Sequence, residues 1–404
     1  MKTQIKIAID GREANTQSRV GSNVYAFEII KSLYKITEKM DEIDITILLS
    51  NQKMNDMPEE RNNWKYLSFG PEKFWTQWAL PIHLFKFKNN YDVFFTPGHY
   101  APRISSIPYV SSVMDTAYID HPTQFKKTDA IKLTKWTNYS VKNAKKVIAI
   151  SNYTKQEIIK NYKKNSEDIV VAYPGNDLDK LKIKSYESYE FLKQNKISLP
   201  YILFVGTIQP RKNIIKLIEA FEIFNRMKAG RALKKLNLKN ANISVQNDQK
   251  KVKLILAGKI GWLSEKIIKR INDSPLKSRI ILTGFVSQKE KQILYKNAFA
   301  SCLVGTHEGF GIPPLESLNF GVPPIVSNTT SLPEVVGDAG FMADPQNSQD
   351  IANKIWEVFS LSTREKGLFR KVAREQIKKF SWEDSATKIL NTLIEIAHQK
   401  NKNA

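Results

Sequence analysis

A single cysteine, Cys302, occurs in 404 residues. One thiol can build neither a disulfide framework nor a cysteine-based zinc site, and it is compatible with a reducing compartment. Histidine is equally sparse. His83, His99, His121, His307 and His398 are the five present, and none form a metal-ligand spacing. Asp and Glu residues form no metal cluster either, so neither a protein-held metal nor a resident cofactor is expected. No apolar run approaches the ~18 residues that cross a bilayer, so any membrane contact is expected to be peripheral. The first ten residues, broken by Lys6 and Asp10, read as a strand rather than a secretory leader. A GxSxG elbow and a P-loop are both missing.

What the chain has in excess is positive charge. Lys plus Arg is 62 against 40 Asp plus Glu, a formal charge of +22. Such an excess suits a polyanionic neighbour: nucleic acid, anionic lipid or a sugar phosphate. Apolar residues at 42% and charged residues at 25% are ordinary values for a globular protein. The length suggests two domains or three.

Short β-rich runs alternate with helical patterns. Strands are expected near 4–9, 43–49, 92–95, 108–112, 146–150 and 168–172, then near 201–205, 252–257, 279–283, 301–304 and 323–327. Ala26, Ile29, Ile30, Leu33 and Tyr34 mark the buried face of one helix, and Ile214, Leu217, Ile218 and Phe221 another. Alternation of this kind builds parallel sheets from βαβ units. The pattern runs out once, giving a first domain over 1–178, a linker over 179–200 and a second domain over 201–382. Residues 226–251, rich in Lys, Asn and Gln, read as a polar surface insertion beyond a short helix extension. Ala386, Ile389, Leu390, Leu393 and Ile394 mark an amphipathic terminal helix. The fold class is α/β, with two Rossmann-like doubly wound sheets and an interdomain cleft. Such sheets bind ligands at the carboxyl ends of their strands.

The strongest local signal is SCLVGTHEGFGIPPLESLNFG at 301–321. A strand ends at Val304, and Gly305, Gly309 and Gly311 form a loop. Pro313 then sits in the first turn of a helix, where its missing N–H costs nothing. A glycine-rich turn into a helix aims backbone N–H groups at an anion. Glu308 reaches across the loop. Glu316 projects from the helix, where it suits a ribose diol and equally suits plain stabilisation of the helix N-terminus. The second signal, YILFVGTIQPRKN at 201–213, ends a strand at Gly206 and stands Arg211 and Lys212 at the next helix. It is not a GxGxxG fingerprint, which argues against a nicotinamide dehydrogenase. Two cations there suit a diphosphate. The third, QSRVGSNVY at 17–25, holds Gly21 and Asn23 and on spacing alone is a plain strand–helix turn.

Together these segments resemble retaining glycosyltransferases of the GT-B fold, in the large group 1 family (family 4). VGTIQPRKN, EGFGIPPLE with its E-x7-E element, SNTTSLPEVVGDAG, FMADP, SNYTKQE at 151–157, AYPGND at 172–177 and FSWE at 380–383 carry the resemblance. It implies an acceptor-binding first domain and a nucleotide-sugar-binding second domain. It also implies a final helix, 383–397, that packs back onto the first. By resemblance, Glu316 binds the ribose, and Arg211 and Lys212 neutralise the diphosphate. Glu308 contacts the transferred sugar. Gly206 and the backbone of Gly309, Phe310, Gly311 and Ile312 position sugar and phosphates. Gly21 and Asn23 approach the diphosphate from the first domain.

Three departures stand out. Thr207 replaces a frequent Arg, an arrangement similar to mannosyltransferase relatives. Gly21-Ser22-Asn23 replaces Gly-x-Gly. Met114-Asp115 replaces a His-Asp pair, leaving Asp115 in the catalytic set and His121 or His99 as substitutes for the missing imidazole.

The implied enzyme is a metal-independent hexosyltransferase with GDP-mannose as the favoured donor and UDP-sugars as the alternative. Its acceptor is a lipid-linked or polysaccharide precursor. A cytoplasmic location is implied, at the inner face of the membrane. The lysines of 126–146, assisted by the aromatic segment 73–87, are the expected contact with anionic lipid, against a plain solvated face. Three other readings remain: an epimerase or phosphorylase of the same architecture, a non-catalytic nucleotide-binding relative, and a nucleic-acid binder. Dispersed lysines and the lack of a nucleic-acid motif argue against the last.

Overall fold

The structure is a computed structural model that describes residues 4–98, 100–176, 181, 183–235 and 251–402. It divides the chain into two compact units, Met1–Asp177 with Phe380–Ala404, and Leu178–Lys379.

In the first unit the strands are β1 (Ile5–Asp10), β2 (Ile43–Leu49), β3 (Trp64–Ser68), β4 (Val93–Thr96), β5 (Tyr109–Val113), β6 (Lys146–Ala149) and β7 (Ile169–Val171). All pair in parallel, in the order β3-β2-β1-β4-β5-β6-β7. Ile7 lies opposite Ile45 on one side and Val93 on the other. Every residue of β4 and β5 is buried, because helices cover both faces of such a sheet. That is why these strands do not alternate between apolar and charged residues, their polar members being the small Thr96, Ser111 and Ser112.

The second unit carries β8 (Tyr201–Val205), β9 (Lys253–Ala257), β10 (Ile280–Gly284), β11 (Ala300–Leu303), β12 (Pro324–Ser327) and β13 (Phe341–Ala343). They are also parallel, in the order β10-β9-β8-β11-β12-β13. In each sheet the order reverses once, between β1 and β4 and between β8 and β11. Chains leaving adjacent strands at a reversal go to opposite faces, which opens a crevice at the strands' carboxyl ends. Among the described residues no helix is long and apolar enough to cross a membrane.

Several expectations are corrected. β3 and β13 are edge strands that sequence patterning missed. β3 is mostly solvent-facing and β13 is short, so neither forms an apolar run. The expected linker 179–200 contains a helix, Ser185–Gln194, and it belongs to the second unit. It is amphipathic only weakly: Phe191 and Leu192 pack onto the core around Tyr201, Leu203 and Ile255, while Tyr186 and Tyr189 face solvent. The helix extension expected at the start of the insertion is present, since Ile214–Lys235 runs on past residue 226. Residues 236–250 lie outside the described residues.

The terminal helix, Trp382–Lys402, lies against the helix Ser22–Ile36 and against β1, β4 and β7 of the first unit. Ala386, Ile389, Leu390 and Leu393 are buried as patterning expects, while Ile394 is half-buried. Trp382 meets Tyr25 edge-on at 5.7 Å, and the Ser385 hydroxyl donates to the Tyr173 carbonyl.

Candidate functional site

Two loops leave the strands that flank the reversal of the second sheet. The one after β8 passes through Gly206 into a single turn, Pro210–Lys212. Asn213 then adopts a left-handed conformation, φ 56°. Its amide donates to the carbonyls of Val304 at 3.0 Å and Pro345 at 2.7 Å, tying this turn to the end of β11. The Thr306 N–H donates to the Arg211 carbonyl at 3.0 Å. After β9, Gly258 brings its backbone so close that a Cβ there would lie 2.0 Å from the Gly206 carbonyl oxygen. Three loops are therefore stitched together before any ligand arrives.

Lys212 and Glu308 meet in this stitched region. The Lys212 ammonium donates to both Glu308 carboxylate oxygens, at 2.7 and 2.9 Å; Glu308 is buried and Lys212 partly so. The Ser331 hydroxyl lies 2.8 Å from the Glu308 carbonyl and 2.7 Å from that of Phe310. Its one proton serves them in turn. Ser327 donates to the Gly305 carbonyl at 2.6 Å. Gly309, Phe310 and Gly311 are buried, and Gly311 caps the helix Ile312–Asn319 that carries Pro313 in its first turn. Arg211 is half-buried.

Glu316 projects from that helix and is buried. Its carboxylate pairs with the Lys291 ammonium, and the Tyr295 hydroxyl lies 3.1 Å from its other oxygen. Tyr295 also lies 3.0 Å from the Pro313 carbonyl and stacks on Phe320 at 5.6 Å. Burial pushes the Tyr295 phenol well above its usual range, and the Glu316 charge adds to that. The phenol thus stays a proton donor. Lys291 and Tyr295 are functional candidates that sequence reasoning missed. Their signal is faint: an i, i+4 pair on one face of the helix Gln288–Asn297. A carboxylate offers about four acceptor positions. Lys291 and Tyr295 leave some of Glu316's open to hydroxyl donors such as a diol.

In the first unit, Gly21 caps the helix Ser22–Ile36. The Asn23 amide donates to the Glu13 carboxylate at 2.7 Å and to the Glu13 carbonyl at 3.0 Å. Asn23 thus organises its own loop. Asp10, at the carboxyl end of β1, is buried and accepts from the Arg12 N–H at 3.0 Å. Burial pushes its carboxyl up to about 6. Sequence reasoning treated Asp10 only as a polar break in the strand.

Met114 is buried, and its thioether, a weak acceptor, cannot donate the hydrogen bond an imidazole would. Asp115 follows β5 and accepts from the Ala117 N–H at 3.2 Å. His121 ends the short helix Ala117–Asp120. His99 lies outside the described residues. Glu157 is a further acid nearby: Thr116 donates to it at 3.3 Å, and burial, then Asp120, push its carboxyl up. The structure therefore brings Lys212 to Glu308 and Lys291 to Glu316 in the second unit. In the first unit it gathers Asp120 and Glu157 around Lys160, whose ammonium lies 3.9 and 3.5 Å from them.

Two family models match the chain: Glycosyl transferases group 1 over residues 189–379 and Glycosyltransferase Family 4 over residues 21–180. The chain is 28% identical to O-antigen chain mannosyltransferase B of Escherichia coli, over 70% of this chain and 69% of that protein. It is 32% identical to the serotype-specific mannosyltransferase WbdA of Escherichia coli, over 67% of this chain but 29% of that longer protein. Among solved structures, Anabaena HepE, crystallised with UDP and glucose, superposes with a TM-score of 0.68 at 17% identity. That match covers 96% of this chain and 99% of HepE. The lipopolysaccharide glycosyltransferase WaaG superposes with a TM-score of 0.66 at 13% identity, covering 96% and 99%. The two parallel sheets are thus those of the GT-B fold, and the chain belongs to the group 1, or family 4, glycosyltransferases.

Proposed function

We propose that this glycosyltransferase moves a mannosyl residue, with retention of configuration, from GDP-mannose to a lipid-linked or polysaccharide-precursor glycan. The observation that carries the reading is the pair of ammonium–carboxylate contacts, Lys212 with Glu308 and Lys291 with Glu316, beside stitched loops at the sheet reversal. Mannose is favoured by the mannosyltransferase relatives and by the Thr207…Arg211-Lys212 arrangement. Crystals of HepE with UDP keep a UDP-sugar as the alternative donor.

In this reading Glu316 accepts from the ribose hydroxyls, held in place by Lys291 and Tyr295. Arg211 and Lys212, with the N–H groups of Gly309 to Ile312, face the diphosphate. The bond from the sugar's anomeric carbon to the diphosphate oxygen breaks, and its electron pair leaves with GDP. Fixed cations and amides stabilise that charge without reorganising. Lys212 can turn from Glu308 to the departing phosphate, which frees the Glu308 carboxylate to face the cationic sugar. The acceptor oxygen bonds the anomeric carbon on the face the phosphate leaves. Its proton passes to the departing phosphate, so no strong base is needed.

The test is incubation with GDP-mannose and a lipid-linked glycan acceptor, with UDP-glucose and UDP-galactose in parallel. The expected result is acceptor-dependent GDP release and a glycoside with the donor's own anomeric configuration. Turnover of a UDP-sugar alone would favour the alternative donor. Nucleotide binding with no turnover on any donor would favour a non-catalytic relative, a reading that draws on the buried Met114.

A further inference from the structure

The segment 73–90 of the first unit contains no Asp or Glu. Its helix, Ala79–Lys86, buries Ala79, Leu80, His83 and Leu84. Ala79, Leu80 and Leu84 pack into a core with Trp75, Phe94 and Tyr109, and His83 stacks on Phe69. Its opposite face is apolar as well. Phe74 is 59% exposed, Trp78 65%, Ile82 61% and Phe85 69%. The Trp78 N–H donates to the Phe74 carbonyl at 2.9 Å and the Ile82 N–H to the Trp78 carbonyl at 3.1 Å. Helical spacing therefore carries Trp78, Ile82 and Phe85 along one stripe, and the exposed Phe74, at φ 62°, lies in the turn that leads into it. A helix apolar on all sides belongs in a core or in a membrane, yet half of this one faces solvent. Contiguous exposed aromatics of this size mark an interaction site.

Cations rim the stripe. The ammonium of Lys73 lies 5.4 Å from the Phe74 ring, that of Lys88 6.0 Å from Phe85, and that of Lys86 5.5 Å from Phe87. All three lysines are exposed. We propose that the stripe of Trp78, Ile82 and Phe85, with Phe74 in the turn before it, inserts into the interface of an anionic lipid bilayer, with Lys73, Lys86 and Lys88 at the headgroups. Charge complementarity selects this occupant. Trp favours the membrane–water boundary, lysine stems lie along apolar surface while their heads stay wet, and a continuous anionic surface meets all three ammonium groups at once.

The helix Lys127–Asn143, which the sequence suggested as the main contact, is built differently. It exposes Lys127, Lys132, Lys135 and Lys142, but its Trp136 is held edge-on against Tyr100 at 4.9 Å. Ile131 is the large apolar side chain it exposes. It offers charge without an apolar stripe, so the inserting role passes to Ala79–Lys86.

The test is co-sedimentation of the full chain with vesicles of phosphatidylcholine, alone or with one-third phosphatidylglycerol. The wild type is expected to bind the anionic vesicles at least ~10-fold more tightly. Combining Trp78→Ser, Ile82→Ser and Phe85→Ser should lower that binding ~10-fold or more. Combining Lys73→Glu, Lys86→Glu and Lys88→Glu should abolish the preference for anionic lipid. Brominated lipid should quench wild-type tryptophan emission, and Trp78→Phe should remove most of that quenching. Absent wild-type binding, or binding unchanged in the serine variant, overturns the proposal. So does lipid-free self-association that the serine variant abolishes, because the stripe would then join two copies. GDP binding of the serine variant, measured alongside, should equal the wild type's. Its absence in both proteins would count against the proposed donor and leave the vesicle result standing.

Discussion

The two units share one sheet topology and use its reversal point differently. In the second unit, between β8 and β11, the loops are fixed to one another and each site carboxylate has an ammonium partner, Lys212 for Glu308 and Lys291 for Glu316. In the first unit, at the end of β1, Asp10 is buried with its carboxyl pushed up to about 6. The Gly21 turn is open, since a Cβ there would meet nothing within 4 Å. The second unit is thus preformed for a ligand that brings negative charge and hydroxyls together. The first carries less balanced charge and a looser turn. One topology supplies the place, and the loop residues supply the chemistry.

The comparison can be broken or sharpened by substitution. The largest effect is expected where the loops are stitched. Gly258→Ala puts a methyl 2.0 Å from the Gly206 carbonyl oxygen at a φ of +152°, and should cost ~3 kcal/mol or more in urea unfolding. Gly21→Ala, at φ +53° in open space, should cost only ~1 kcal/mol. Equal losses would show that the two loops are alike. Glu308→Gln removes the anion that Lys212 clasps, and turnover should fall by ~10²–10³ with the fold retained. A change of less than ~5-fold in kcat would make the pair a structural one, since a charge placed at the reacting centre is worth far more than that.

Asp10→Asn should act in the opposite sense, and only above acidic pH. Because burial raises the Asp10 carboxyl from 3.8 to about 6, the folded chain holds that proton more tightly than the unfolded chain. Its stability therefore falls as pH rises through that interval and stays lower above it. The variant should be ~1–3 kcal/mol more stable than the wild type at pH 8 and no different at pH 3.5. Parallel unfolding curves at both pH values would contradict a buried acid. The smallest effect is expected at Lys35, whose ammonium meets Glu383 at 2.7 Å with both side chains exposed. Solvent screens such a pair, so Lys35→Ala should leave the unfolding midpoint unchanged, unlike any change at Lys212.

Much of this was legible in the sequence, and the residues show why. Strands buried on both faces, such as Val93–Thr96 and Tyr201–Val205, are almost wholly apolar. The loop 305–311 announces itself by its glycines and by Pro313. Trp64–Ser68 is mostly solvent-facing and Phe341–Ala343 is three residues long, so these two edge strands went unread, whereas the edge strands Ile169–Val171 and Ile280–Gly284 begin with apolar runs and were read. The helix Ser185–Gln194 hid because Phe191 and Leu192 alone anchor a polar segment to the core. Charge pairing was invisible for a different reason. Lys212 and Glu308 stand 96 residues apart and Lys291 and Glu316 stand 25 apart, and no local pattern encodes contacts between separate βα units. The exposed stripe on Ala79–Lys86 was visible as an aromatic, basic segment. Which of its side chains face solvent required the fold.

Calorimetric titration of GDP and of UDP into the wild type and into Glu316→Ala tests the central claim most directly. The paired carboxylates and stitched loops of the second unit predict tight binding of one nucleotide, GDP, weakened at least ~10-fold by the substitution (about 1.4 kcal/mol). Binding of neither nucleotide by a well-folded protein, or equal binding by Glu316→Ala, would contradict it.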